Sequence, residues 1–249
     1  MVRLAPRAAI LLIGNELLSG KVEDENARYL TRELRELGVT LGRVEIIPDV
    51  AAEISEAVRL LSARYDVVFT SGGVGPTHDD VTLPAVGAAF DMPVARNAEL
   101  EALLRAGAGE RLHERDLRMA DVPTGARLEY GPPDPEHRHR WPVVVVRNVW
   151  VLPGVPKIFR RKFEMVRELF RSVPIHARAV YSRVDEGPIA GALDQVVAEF
   201  PMVEVGSYPH LDTPDYRVKI TLDGRDAQAV DAATERLVGR LGDAVVRTE

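Results

Sequence analysis

The sequence predicts an α/β fold, a three-layer domain around a mostly parallel sheet, followed by a small ferredoxin-like α+β domain. Three observations predict it. Short, continuously apolar runs alternate with stretches of helical periodicity through the first two-thirds of the chain, the pattern of strands joined by helical crossovers. Those runs end in loops bearing Gly or Pro, as Gly14, Pro48 and Gly72 do. Beyond Pro174 the order changes to strand, helix, strand, strand, helix, strand, which is βαββαβ.

The elements follow in order. Residues 8–13 are all apolar and stop at Gly14, as in a strand buried on both faces. The spacing of Ala27, Leu30, Leu34 and Leu37 predicts a helix over 24–37, closed by Gly38. A strand over 44–47 and a helix over 50–63 come next, the helix carrying Val50, Ile54, Val58 and Leu61 on one side. The third strand, 67–69, runs into a glycine loop, and a helix starts near Val81. Residues 97–120 read as helical and rich in arginine. Prolines and alternating charge make 131–140 an exposed loop. Two strands, 143–146 and 149–152, flank an Arg147-Asn148 turn, and a helix spans 157–170. A boundary at Pro174 divides the chain into domains 1–173 and 174–249. The second holds strands at 177–184, 202–208, 216–222 and 244–247, with helices at 188–200 and 226–241.

Composition narrows the function classes. A formal charge of -6 argues against general nucleic-acid binding, which favours a basic excess. With no cysteine, disulfides and thiolate metal sites are excluded. No apolar run approaches the roughly 20 residues of a membrane span, and 8–13 is too short for a secretory h-region closed by Glu16. A cytoplasmic protein without membrane or nucleic-acid partners is expected.

The strongest motif is Ser71-Gly72-Gly73-Val74-Gly75-Pro76-Thr77-His78-Asp79-Asp80, between a buried strand and a helix. Its glycines let backbone N–H groups approach a phosphate, and the next helix adds its dipole. It matches neither the Walker A pattern nor the dinucleotide fingerprint. Glycines alone fit a structural turn equally well. The paired Asp79-Asp80 shift the reading, because carboxylates beside a phosphate repel it unless a cation lies between. One of the two could instead cap the next helix. Weaker candidates share this sheet edge. Glu16 lies in Gly14-Asn15-Glu16-Leu17-Leu18-Ser19-Gly20, a segment that also reads as a plain polar loop. Asp49 is explained by capping a helix that begins at Val50. Pro153-Gly154-Val155-Pro156 precedes a helix and is either a second anion site or a rigid turn. His137-Arg138-His139 reads as solvated loop rather than as a metal site.

Ile47-Pro48-Asp49, Thr70 to Pro76 and Asp80-Val81-Thr82 resemble the MoaB/Mog domain of molybdenum-cofactor biosynthesis. That resemblance implies functional aspartates at Asp49 and Asp80 and a pterin phosphate on the glycine loop. Val74 stands where that family usually has Thr, which points away from pterin adenylyl transfer. Gly14 to Gly20 with Asn26, and Gly75 to Thr82 with its double aspartate, are similar to the competence/damage-inducible CinA family. The segments Leu128-Glu129-Tyr130-Gly131 and Val146 to Pro156 look closer still to the N-terminal domain of eukaryotic-type FAD synthases.

The CinA resemblance implies metal-dependent hydrolysis of a nucleotide pyrophosphate such as ADP-ribose or FAD. The expected catalytic residues are Asp80, Asp79 and Asp49. Ser71, Gly72, Gly73, Val74, Gly75, Thr77, Thr82, Asn26, Pro153 and Gly154 would bind substrate. Asp80, Asp79 and Glu16 would hold Mg²⁺ or Co²⁺, with K⁺ as a further candidate. A homo-oligomer, dimer or trimer, is expected. The alternative is a pterin- or nucleotide-binding module of the molybdenum-cofactor type, either non-catalytic or transferring adenylyl groups.

Overall fold

Six successive apolar residues, Ala8 to Ile13, lie at the centre of the N-terminal unit with almost no exposed surface. They belong to strand β1 (Arg7–Ile13), and their side chains alternate between two cores. Ala9, Leu11 and Ile13 face one cluster, and Ala8, Ile10 and Leu12 face the other. A strand buried on both faces has no room for polar residues, hence the uninterrupted run. The computed structural model describes residues 6–132, 141–210 and 214–249. The chain forms two compact units, Met1–Ser172 and Val173–Glu249.

After β1 come a single helical turn, α1 (Asn15–Leu18), then α2 (Asn26–Glu36), β2 (Thr40–Ile47), α3 (Ala51–Arg64), β3 (Val67–Ser71) and α4 (Thr82–Ala89). Helix α2 starts two residues later than its apolar spacing predicts. The Asp24 carboxylate accepts from Asn26 N and Ala27 N at 3.1 and 3.0 Å, and so lies outside the helix as its start signal. Strand β2 is longer than predicted, because Thr40 to Arg43 pair with the start of β1 across a register shift.

A two-stranded ribbon of β4 (Val94–Arg96) and β5 (Asp121–Pro123) flanks α5 (Ala98–Ala108). The helix predicted over 97–120 is therefore three pieces. Gly109, at φ 55°, ends α5, and two 3₁₀ turns, Gly109–Arg111 and Glu114–Ala120, follow. Strands β6 (Arg127–Glu129), β7 (Val143–Val146) and β8 (Val149–Leu152) complete the sheet, and α6 (Pro156–Val166) runs on into a 3₁₀ turn, Arg167–Phe170. The predicted turn is there: Arg147 adopts φ 54°, and the Asn148 amide donates to Tyr65 O at 2.8 Å. His137 and His139 lie outside the described residues.

The main sheet has the order β2-β1-β3-β8-β7-β6. The four strands from β2 to β8 are parallel, whereas β7 and β6 are antiparallel. Helices α3 and α4 cover one face, and α2 and α6 the other. On the second face Phe69 meets Phe163 and Phe170, and Trp150 meets Phe170, edge to face with centroids 4.7–5.7 Å apart, while Phe163 and Phe170 stack. The chain leaves β1 towards β2 on one side and returns to β3 on the other. The carboxyl ends of β1 and β3 therefore flank a topological switch point, where such sheets bind ligands.

In the C-terminal unit β9 (His176–Ser182), α7 (Glu186–Glu199), β10 (Glu204–Pro209), β11 (Val218–Gly224), α8 (Ala227–Leu241) and β12 (Val245–Thr248) follow in turn. Their sheet order, β10-β11-β9-β12, is antiparallel throughout, as in the ferredoxin-like fold. Val180, Ile220, Leu222 and Leu237 form its core beneath the two helices. Asp226 caps α8, accepting from Gln228 N at 2.9 Å. Asp226→Ala is expected to lower the stability of this unit by about 1 kcal/mol. An unchanged urea midpoint would contradict that. Among the described residues no helix is long and apolar enough to cross a membrane.

Candidate functional site

The glycine loop leaves β3 in a conformation that only glycine adopts easily. Gly72 has φ 111° and Gly73 φ 64°. A Cβ on Gly72 would collide with the carbonyl oxygen of Ile13 at the end of β1, and one on Gly73 with the Thr82 hydroxyl. Gly72 N donates to Leu152 O at 3.2 Å, which ties the loop to the end of β8. A Cβ on Gly154 would come within 3.3 Å of Gly72 Cα. The ends of β1, β3 and β8 thus meet closely at Gly72.

Buried polar side chains hold this junction. Thr82 is fully buried, and its hydroxyl donates to Gly72 O at 2.8 Å while its N–H donates to Gly73 O at 3.0 Å. The Asn26 amide nitrogen donates to Ser71 Oγ at 2.9 Å and to Gly154 O at 2.7 Å. Because Gly154 O can only accept, that contact fixes which end of the Asn26 amide carries the nitrogen. Thr82, Asn26 and Ser71 thus brace the loops from below and do not line the cleft.

Asp80 folds the outer part of the loop. Its Oδ2 accepts from Thr77 N at 2.8 Å and from the Thr77 hydroxyl. Arg118 Nη1 donates to Thr77 O at 3.2 Å from the other side. Thr77 also influences the neighbouring Asp79. Its hydroxyl is the chief cause holding Asp79 below the usual carboxylate range, followed by the backbone N–H of Asp79, with a smaller effect from His78. Neither aspartate caps α4, whose N-cap is Val81 with no side-chain bond. Asp49 likewise does not cap α3, which begins at Ala51 after Val50. Its Oδ2 instead accepts from Asn15 N at 2.8 Å, fastening the turn that carries Glu16. The capping roles open to these aspartates in the sequence are therefore corrected: their carboxylates serve the loops at the sheet edge.

These loops enclose a cleft of about 640 Å³. Glu16, Asp49, Asp79 and Asp80 line it, together with Gly72, Gly73, Val74, Gly75, Pro153 and Gly154. Thr77 lies just outside. A smaller cavity of about 170 Å³ shares Gly73, Val74, Gly75 and Asp80 and adds Arg118 and Asp121. Arg105, near the end of α5, pairs with Glu101 at 2.6 Å on the surface. Among the described residues no three His, Asp or Glu side chains form a ready metal cage. Mg²⁺ commonly uses one or two carboxylates and completes its shell with waters and substrate phosphates, and the carboxylates lining this cleft fit that mode.

Trp141, Met119 and Lys162 also line the cleft and were not predicted. Lys162 sits within the basic run Arg160-Arg161-Lys162, which suggests a solvated face. Helical spacing carried the contrary signal, since Phe159, Lys162, Phe163 and Val166 form one buried stripe.

Residues 9–171 match the family described as probable molybdopterin binding domain, and residues 174–249 match FAD synthase, middle domain. A probable FAD synthase from Caenorhabditis elegans is 34% identical over 92% of this chain and 49% of its own length. A CinA-like protein from Myxococcus xanthus is 34% identical over 64% of this chain and 38% of its own length. The chain spans about half the length of the probable FAD synthases it matches. The crystal structure of CinA from Thermoplasma acidophilum, described as of unknown function, superposes with a TM-score of 0.59 at 26% identity. It covers 67% of this chain and 99% of that one. Paired with the glycine loop at the switch point of the sheet, these matches show that the chain belongs to the MoaB/Mog molybdopterin-binding-domain superfamily, among relatives of the CinA and FAD-synthase kinds.

Proposed function

We propose that the cleft of the N-terminal unit binds a nucleotide pyrophosphate and hydrolyses its P–O–P bond with a divalent cation, Mg²⁺ or Co²⁺. One observation carries this reading: four carboxylates share a single cleft with a backbone loop built for phosphate. Four acids would repel a diphosphate, so the arrangement favours a ligand that arrives with a cation. Gly73 and Gly75 bind the phosphates through backbone N–H groups, with no Cβ in the way, while Gly72, whose N–H is bonded to Leu152 O, holds the loop in place. Asp79 and Asp80, with Glu16, hold the cation, and Asp49 keeps the Glu16 turn in place. When bound, the cation neutralises phosphate charge and makes water a better nucleophile. Water adds to one phosphorus and the bridging oxygen leaves with the other. ADP-ribose then gives AMP and ribose 5-phosphate, and FAD gives AMP and FMN.

The test is AMP release from ADP-ribose and FAD by the purified protein, with Mg²⁺, Co²⁺ or EDTA. Metal-dependent AMP is expected, and none under any cation would refute hydrolysis. The second reading, a module that holds a pterin or nucleotide or transfers an adenylyl group, is favoured by the names of the matched families. Tight pterin binding without AMP release would select its non-catalytic form.

A further inference from the structure

We propose that the wall of the cleft formed by Trp141, Pro142 and Lys162 is a subsite for a planar fused ring that presents carbonyl oxygens, as a flavin does. This rests on the pyrophosphate reading for the rest of the substrate, and it makes a flavin-bearing pyrophosphate the preferred one.

Strand register places the wall. Val144 of β7 lies opposite Val151 of β8, so the residues just before β7 run beside Leu152 and Pro153. Trp141 and Pro142 therefore reach the carboxyl edge that also carries the glycine loop. Strand β7 is two places from β3 in the sheet. At the usual strand spacing that separates the wall from the phosphate loop by about 10 Å. One sugar-phosphate arm can bridge this.

The side chains set the chemistry. Trp141 is half-buried and packs against the core cluster that includes Val144 and Val151, so its indole is held in place while it lines the cleft. A fixed aromatic face over an apolar floor suits stacking by a flat ring. Lys162 is only 9% exposed, and its Nζ lies 3.5 Å from Pro142 O. It is the one basic residue lining the cleft among the described residues, where every other charged group is an acid. An ammonium only donates, so it matches a ring edge of carbonyl oxygens. Adenine carries no carbonyl oxygen, and a ribose has no planar aromatic ring to lay over the indole. The wall thus selects the half of the substrate that is not AMP.

ADP-ribose and FAD share the AMP half, so comparing them isolates the subsite. Trp141→Ala is expected to lower the ratio of kcat/KM for FAD to that for ADP-ribose about tenfold, through KM, the lower end of the effect of a base–aromatic stack. Trp141→Phe should restore most of it. Lys162→Met should lower the ratio in the same direction. Riboflavin, which has the ring but no phosphate, should bind the wild type in equilibrium dialysis and bind Trp141→Ala about tenfold more weakly. Equal losses on both substrates in either variant would overturn the assignment, as they would mean an adenine or phosphate contact. Riboflavin that does not bind, or binds Trp141→Ala as well as wild type, would also overturn it. If the wild type cleaves neither substrate yet binds riboflavin through Trp141, the ring subsite stands and hydrolysis falls.

Discussion

Asp80→Asn is expected to lower metal-dependent AMP release by about 100-fold to 1,000-fold, the range for removing one preorganised electrostatic group from an active site. The substitution separates charge from structure. Asn keeps a side-chain oxygen that can accept from Thr77 N and from the Thr77 hydroxyl, the two contacts that Asp80 makes through Oδ2. Arg118 still donates to Thr77 O from outside the loop. The thermal midpoint should therefore stay close to that of the wild type. What disappears is a negative charge beside the phosphate loop. Without metal, nucleotide binding should then be as tight as in the wild type or tighter, because one repulsive carboxylate is gone. Calorimetric titration of AMP in EDTA checks this. Unchanged turnover in Asp80→Asn would overturn the assignment. Lost turnover with a lowered midpoint would move Asp80 to a purely structural role.

The centre of the fold was legible because strands buried on both faces must be apolar at every position, as Ala8 to Ile13 are. The carboxyl-edge loops were legible for a related reason. Gly72 and Gly73 stand where the backbone takes φ values hostile to other residues, and glycine there leaves a visible mark in the sequence. Features set by tertiary contact were not legible. Asp49 and Asp80 look like helix caps in one dimension, but their acceptors serve Asn15 N and Thr77, partners that the fold chooses. Strands β4 and β5 have three residues each, too few for a period to show, and are defined by pairing across about 25 residues. Lys162 reads as solvated beside two arginines, and only its helical spacing with Phe159, Phe163 and Val166 hints at the inward face that packing gives it. Trp141 follows a proline-rich charged stretch and gains its place from the register of β7 against β8.

The same junction gives the largest expected stability effect. Gly72→Ala adds one methyl group at φ 111°, where an L side chain is strained by roughly 1–2 kcal/mol. Strain is the smaller part. The new Cβ would overlap the carbonyl oxygen of Ile13, which is backbone and cannot rotate away. Relief requires moving the end of β1 from β3, yet Gly72 N is bonded to Leu152 O and Thr82 Oγ1 to Gly72 O. A shift large enough to admit the methyl group would lengthen both bonds and disturb the contact with Gly154 across the way. Overpacking of this kind costs about 1–3 kcal/mol beyond the strain, for a total of roughly 3 kcal/mol or more. Urea unfolding should show a clearly lower midpoint, well beyond the effect of Asp226→Ala. Phosphate affinity should fall as well, because the loop can no longer present its N–H groups in one fixed arrangement. Gly20→Ala is the matched control. Gly20 also has a positive φ, 69°, but has nothing within 4 Å of an added Cβ. It carries the strain without the collision, so it should lose only about 1–2 kcal/mol. If the two variants proved equally stable, the close meeting of β1, β3 and β8 would not be what demands glycine at position 72.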